Sequence, residues 1–242
     1  MQIIRKVNKN ISKVLQFRNF SSVKSTNNNK PILYGDEISP PVRFVMMTAS
    51  VLNIDIQFHK IDLFKNENRS EFYRKINPLQ KVPALQVGDT KILDSHAIAM
   101  YLCQIANEQI LYPENPILRA KVNQMLFFNS STLFRVDSYI LSKYFARQWP
   151  VSKTVIEEWY SALDYLEYQL KDDWLTGNKV LLCDICAVAV VTSVLPLIPL
   201  TERHERVQQW IENFQHLKYY DINRRGLLKL NSYIDAFKDT HT

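Results

Sequence analysis

The sequence predicts a small α/β domain followed by an all-helical one. Three observations carry this. Strand-like and helix-like patterns alternate as β-α-β-α-β-β-α over residues 31–107. Gly88-Asp89, set between two short apolar runs, is a strong hairpin signal. Beyond residue 108 no strand pattern recurs, and the apolar positions keep helical spacing.

Pro31–Gly35 reads as a short buried strand. Pro40 to about Asn53 reads as a helix opened by two prolines, whose missing N–H groups are not needed in a first turn. Ile54–Lys60 is a second strand and Arg69–Ile76 a short helix. Val82–Val87 and Thr90–Leu93 flank the hairpin, and Ser95 to about Ala106 is a helix with Ser95 as its cap. Two prolines mark a boundary across Glu108–Pro116. Residues 116–146 read as helical. Val155, Trp159, Leu163, Leu166 and Leu170 form one apolar helix face. Asp184–Val194 is apolar all round and so belongs at the centre of its domain. Glu205–Phe214 and about Leu227–Phe237 complete the helices. The expected organisation is a leader over 1–30, an α/β domain over 31–107 and a helical domain over 116–242.

Composition removes several function classes. The chain has 242 residues and only four glycines, none in a pattern that cradles a dinucleotide or a nucleotide phosphate. Three cysteines argue against a secreted disulfide framework and for a reducing, cytoplasmic setting. The uncharged run from Ile185 to Leu200 is short and carries two prolines, so no membrane span is expected. The 30 Lys and Arg outnumber 24 acids, but seven of the basic residues fall within positions 1–30, which hold no acid. The body is therefore near neutral and lacks a nucleic-acid footprint. Within the leader Ile3, Ile4, Val7, Ile11, Val14 and Leu15 recur at helical spacing among the basic residues. This resembles a mitochondrial presequence; a plain tail, or an unused upstream start, is the other reading.

Four places draw chemical interest. Ser39 precedes Pro40-Pro41 at the mouth of the first helix. It is either a helix cap or a hydroxyl held out for chemistry, since a residue before proline keeps extended geometry. Asp94-Ser95-His96 starts another helix, as a capping pair or as an anion site. Asp137 has Leu133, Phe134, Ile140 and Leu141 as helical neighbours, so its carboxylate lies on an apolar stripe. Such a charge costs several kcal/mol unless something bonds it, either a basic group on another helix or a ligand hydroxyl. Cys183-Asp184-Ile185-Cys186 has redox spacing but sits on the apolar helix, where small core residues are the simpler reading. The five histidines show no ligand spacing, so no metal is expected.

Three stretches taken together resemble the glutathione-site motifs of the insect delta and epsilon glutathione transferases. They are Ile38-Ser39-Pro40-Pro41-Val42-Arg43, Asn77-Pro78 with Val82-Pro83-Ala84-Leu85, and Asp94-Ser95-His96-Ala97-Ile98. Leu126-Phe127-Phe128 and Leu133-Phe134-Arg135-Val136-Asp137-Ser138 look most like the noppera-bo subgroup, which is tied to ecdysteroid production. The resemblance implies a thioredoxin-like first domain, a homodimer, and glutathione as co-substrate.

The same resemblance assigns roles. Ser39 activates the thiol. Gln80, Val82, Pro83, Asp94, Ser95 and His96 bind glutathione, with a cis peptide before Pro83 and the N–H groups at the Asp94–His96 helix start holding the γ-glutamyl carboxylate. Gln80 stands where these classes usually carry histidine. Asp137 matches an acidic residue that meets a steroid in the noppera-bo subgroup, and Pro40, Leu63, Phe64, Phe134, Leu141 and Phe145 are candidate apolar walls of a pocket for that hydrophobic or steroid-like partner. A free thiol has a pKa of roughly 8.5, and lowering it by two units takes about 2.7 kcal/mol. One charge-assisted hydrogen bond plus a helix N-terminus is the right size. The expected function is glutathione transfer in ecdysteroid biosynthesis; the rival is a sterol carrier with little catalysis.

Overall fold

The computed structural model describes residues 30–107 and 109–239. The expectations about the basic leader fall almost wholly on positions 1–29, outside the described residues. The first half is built on a four-stranded sheet of β1 (Ile32–Gly35), β2 (Gln57–Lys60), β3 (Ala84–Val87) and β4 (Thr90–Leu93), in the order β2-β1-β3-β4. β1 runs parallel to β2 and antiparallel to β3, and β3 and β4 form the expected hairpin. Three helices accompany the sheet: α1 (Pro40–Val51), α2 (Glu71–Ile76) and α3 (Ser95–Ala106). This is the thioredoxin-like arrangement, a mixed sheet with helices.

The second half is helical: α4 (Pro116–Phe128), α5 (Phe134–Phe145), α6 (Lys153–Gln169), α7 (Leu182–Val194), α8 (Glu205–Gln215) and α9 (Tyr220–Asp239). Every residue of α7 is buried, as its unbroken apolar composition requires. It packs against α1, α4, α5 and α9, so one hydrophobic core runs from the sheet through α1 and α3 into the helices. None of the described helices is long and apolar enough to cross a membrane.

β3 and α2 start two residues later than expected, and the structure departs further from the sequence expectations at four places. β2 starts at Gln57 rather than Ile54, because its partner β1 is only four residues long and pairs from Ile32↔Gln57 to Gly35↔Lys60. The cap of α3 is Asp94, not Ser95: the Asp94 carboxylate accepts from the N–H groups of His96 (2.8 Å) and Ala97 (3.2 Å), and Ser95 is the first helical residue. The 116–146 helix is interrupted by a π-helical turn at Asn129–Leu133. Ser130 and Ser131 both donate their hydroxyls to Phe127 O, at 3.1 and 2.8 Å, as short polar side chains do when they compete with a helix ladder. Finally, α9 begins at Tyr220, seven residues before the expected start, and carries Gly226 within it.

Gly226 is used for close approach. A Cβ there would collide with Glu37 O and the Arg43 stem, so the glycine lets α9 press on the start of α1. Arg43, fully buried, fills this crossing. Its five N–H donors are all taken: Asn223 Oδ1 (2.7 Å), the carbonyls of Glu37 (3.1 Å), Ile38 (2.7 Å) and Ala189 (2.9 Å), and the Ser193 hydroxyl. One guanidinium thus ties the loop before α1 to α7 and α9.

Candidate active site

The mouth of α1 is shaped by its two prolines. Pro40 and Pro41 stand at the first two helical positions and have no N–H. The next N–H, of Val42, is turned to Ser39 O at 3.1 Å. A cap side chain is normally held by the second or third N–H of its helix. Here the one is missing and the other is spent, so the Ser39 hydroxyl makes no capping bond. Ser39 itself is extended, with φ −77° and ψ 122°. At this helix end the serine hydroxyl is the polar donor on offer.

Two cavities meet around this point. The first, of about 300 Å³, lies between the start of α1, the loop before β3, the start of α3, and α7. Five of the six expected glutathione residues are in its wall: Val82, Pro83, Asp94, Ser95 and His96. Gln80 is not; its flanking Leu79 and Lys81 are. Gln80 adopts a left-handed conformation (φ 57°), with its N–H bonded to Asn77 O (2.9 Å) and its carbonyl accepting from Asn68 Nδ2 (2.9 Å). The backbone turns at Gln80, and this takes its side chain out of the cavity wall.

The loop after Gln80 is firmly held. Asn77 Nδ2 and the Tyr73 hydroxyl both donate to Lys81 O at 2.7 Å. The Val82–Pro83 peptide is cis. β3 pairs only from Ala84, and the N–H and C=O of Val82 make no hydrogen bond among the described residues. They stand ready for an added extended segment.

At α3 the donors are partly committed. Asp94 Oδ1 takes the N–H groups of His96 and Ala97, so these are not free for a carboxylate as the resemblance implies. Ser95 N–H and hydroxyl have no partner among the described residues. His96, above all, holds the Asp94 carboxyl below the usual carboxylate range, so it is an anion at neutral pH.

The second cavity, of about 560 Å³, opens on the other side of Pro40 and Phe134, which line both. Its wall holds Ser39 and all seven residues expected for a hydrophobic partner: Pro40, Leu63, Phe64, Phe134, Asp137, Leu141 and Phe145. Phe64 stacks on Tyr233 (centroids 3.7 Å) and meets Phe145 edge-on at 5.0 Å, which sets one aromatic side. Both volumes are in the range of small-molecule pockets.

Asp137 is fully buried, and neither carboxyl oxygen has a hydrogen-bond partner among the described residues. The interhelix salt bridge allowed by the sequence is not made. Arg135 turns instead to Glu158 at 2.8 Å. Burial pushes the Asp137 carboxyl well above the usual carboxylate range, and the charge of Arg43 pulls the other way without restoring it. Burial likewise lowers Arg43, to about 10, against the pull of Asp137 and Tyr220, so the guanidinium stays charged at neutral pH.

Three residues of this region receive no site role from sequence reasoning. Arg43 carries a signal, as the single charge in Val42-Arg43-Phe44-Val45. Asn129 and Cys186 line the first cavity; Cys186 shows redox spacing but on an apolar helix, and Asn129 carries no signal, because the turn and the helix that bring them there come from distant sequence. Among the described residues no cluster of three or more His, Cys, Asp or Glu is placed to hold a metal ion.

Comparison with known proteins decides the family. The glutathione S-transferase N-terminal domain matches residues 33–109 and the glutathione S-transferase C-terminal domain matches residues 131–218. The chain belongs to the glutathione S-transferases. Glutathione S-transferase 1 of Manduca sexta is 32% identical over 193 residues, 78% of this chain and 89% of that protein. An epsilon-class glutathione S-transferase from the housefly Musca domestica superposes with a TM-score of 0.81 at 29% identity, covering 86% of this chain and 98% of that one. A glutathione transferase homologue from Drosophila mojavensis, solved with bound glutathione, gives 0.81 at 31% identity, covering 86% and 97%. The chain is thus a transferase of the insect delta/epsilon type, an enzyme whose co-substrate is glutathione.

Proposed function

We propose that this transferase holds glutathione in the first cavity, activates its thiol with Ser39, and takes a steroid-like partner in the second. Val82 and Pro83 pair with the cysteinyl part, Asp94 and Ser95 hold the γ-glutamyl end, and Gln80 acts through the fold of its loop. Sulfur lying beside the Ser39 hydroxyl and the start of α1 is stabilised as thiolate, the form that attacks. Pro40 and Phe134, shared by both cavities, put an electrophile in the second within reach of that sulfur.

The observation that carries the partner class is Asp137: a fully buried, unpartnered carboxyl in a wall of apolar and aromatic side chains. It answers a large apolar ligand with a hydroxyl at one end, and a carboxyl with a raised pKa can donate as well as accept. This fits the noppera-bo subgroup and a role in ecdysteroid biosynthesis. Because Asp137 and the glutathione residues lie in different cavities, steroid binding without turnover is the second reading. Three free cysteines support a reducing compartment, cytoplasmic in this reading. In this reading the protein is a homodimer, as glutathione S-transferases typically are.

Glutathione conjugation of a generic aryl halide tests the thiol role. Ser39→Ala lowers kcat/KM at pH 7 by about 10–100-fold, the loss expected when two units of thiol pKa are given back. Full retention of rate contradicts the assignment. For the partner, Asp137→Leu weakens a hydroxylated steroid by at least about 10-fold and leaves its deoxy analogue unaffected. Equal effects on both contradict the hydroxyl contact. Binding of that steroid with no glutathione adduct formed selects the carrier reading.

A further inference from the structure

Cys186 stands apart from the other two cysteines. It sits on α7 in the wall of the first cavity, with its sulfur 3.4 Å from His96 Nε2. His96 Nδ1 is in turn 3.4 Å from Asp94 Oδ1, and the imidazole is braced by the Phe44 ring at 5.8 Å. The apolar run around the Cys183–Cys186 pair suggests core residues at both positions. Cys183 fits that expectation. Cys186, three positions on, is likewise buried (2% exposed) but lies in the cavity wall beside a histidine–carboxylate pair. Sulfur, imidazole and carboxylate in this order make a nucleophile, a base and a group that orients the base.

A second observation at the same cavity points to a ligand. Asn129, only 2% exposed, is in the wall, and its amide nitrogen has no hydrogen-bond partner among the described residues. A buried amide donor left without an acceptor is costly unless a bound molecule supplies one.

Resting on the reading that this cavity holds glutathione, we infer that Cys186 is a second thiol site of this transferase. It takes up one glutathionyl group from glutathione disulfide as a mixed disulfide in the enzyme's own glutathione cavity. His96 Nε2 holds the proton shared with the Cys186 sulfur, and that sulfur attacks one sulfur of the disulfide. The Cys186–glutathione S–S bond forms as the S–S bond of glutathione disulfide breaks. One glutathione leaves as thiolate and regains the proton from His96. One disulfide replaces another, so no further oxidant is consumed. Burial opposes a charged His96, but the Cys186 sulfur and Asp94 outweigh it and lift the imidazole to about 10, so at neutral pH the proton rests on His96 beside the sulfur. Burial instead pushes Cys103 up to about 12 and Cys183 well up, and neither lines the cavity. The tethered group fills the place of incoming glutathione, so oxidised glutathione switches conjugation off reversibly.

The test is peptide-mapped mass spectrometry of the full chain after incubation with glutathione disulfide, alongside calorimetric titration of the untreated protein with glutathione. The expected result is one glutathionyl on Cys186, none on Cys103 or Cys183, and conjugation lost in step with the adduct and restored by dithiothreitol. His96→Gln slows adduct formation by at least about 10-fold. Glutathione bound in the titration but no adduct on Cys186, or adducts spread evenly over the three cysteines, overturns the inference and leaves the transferase assignment standing. Absence of glutathione binding overturns the cavity assignment and this inference with it.

Discussion

Asp137 shows at the level of one residue how burial and function pull against each other. A carboxyl with no bonded partner at full burial holds its proton more tightly folded than unfolded. The native state then binds more protons than the unfolded chain above the ordinary carboxylate pKa of about 3.9, so stability falls as pH rises through that point toward the folded value. Asp137→Asn removes the titration while keeping the size of the side chain. Its melting temperature should therefore exceed that of the wild type, by a margin that widens from pH 4 upward. A constant margin across pH would mean that Asp137 does not titrate abnormally. The sequence disclosed the predicament of Asp137 through its place on the Leu133–Leu141 stripe. It could not disclose Arg43, whose charge reaches Asp137 from another domain while its donors are spent on Asn223 and on neutral carbonyls and a hydroxyl.

At the level of elements, caps decide more than propensity does. α7 has Leu181 where a side-chain cap would stand, and only the acid half of the reciprocal cap is present: Asp184 Oδ2 accepts from Leu181 N at 2.9 Å. The other oxygen takes Leu175 N at 2.8 Å and Trp210 Nε1 at 3.2 Å, so the acid also fastens the preceding loop and α8 to α7. Burial raises this carboxyl to about 6 even so, because the three N–H bonds only partly offset desolvation. Asp184→Ala strands three buried donors and should lower unfolding free energy by about 3–5 kcal/mol in urea titration. A loss below about 1 kcal/mol would show that water replaces it. Element types were legible because their signals are local: proline at the start of α1, Gly88-Asp89 between β3 and β4, the unbroken apolar run of α7. The π-turn at Asn129–Leu133 was not, since apolar spacing continues across it and only the hydroxyls of Ser130 and Ser131 show the competition.

Across the whole molecule, the site exists because two halves are pressed together at Gly226, Arg43 and the loop before α1. Helix propensity alone favours Gly226→Ala by about 1 kcal/mol. The new methyl meets a backbone carbonyl that cannot move cheaply, so the variant should instead lose about 1–3 kcal/mol. A higher melting temperature in that variant would show the crossing to be loose. The motif residues around the two cavities were legible because each group is contiguous in sequence: Ser39-Pro40-Pro41, Val82-Pro83, Asp94-Ser95-His96. What joins them was not, for Cys186 and His96 lie 90 positions apart and Arg43 and Asn223 lie 180 apart. In the proposed reading the arrangement as a whole serves one end, a serine hydroxyl left uncapped by two prolines beside bound glutathione. Titrating the ultraviolet absorbance of the bound glutathione thiolate against pH tests this directly. The wild type should show a thiol pKa about two units below that of free glutathione, and Ser39→Ala should return it to roughly 8.5. An equal pKa in the two proteins would contradict it.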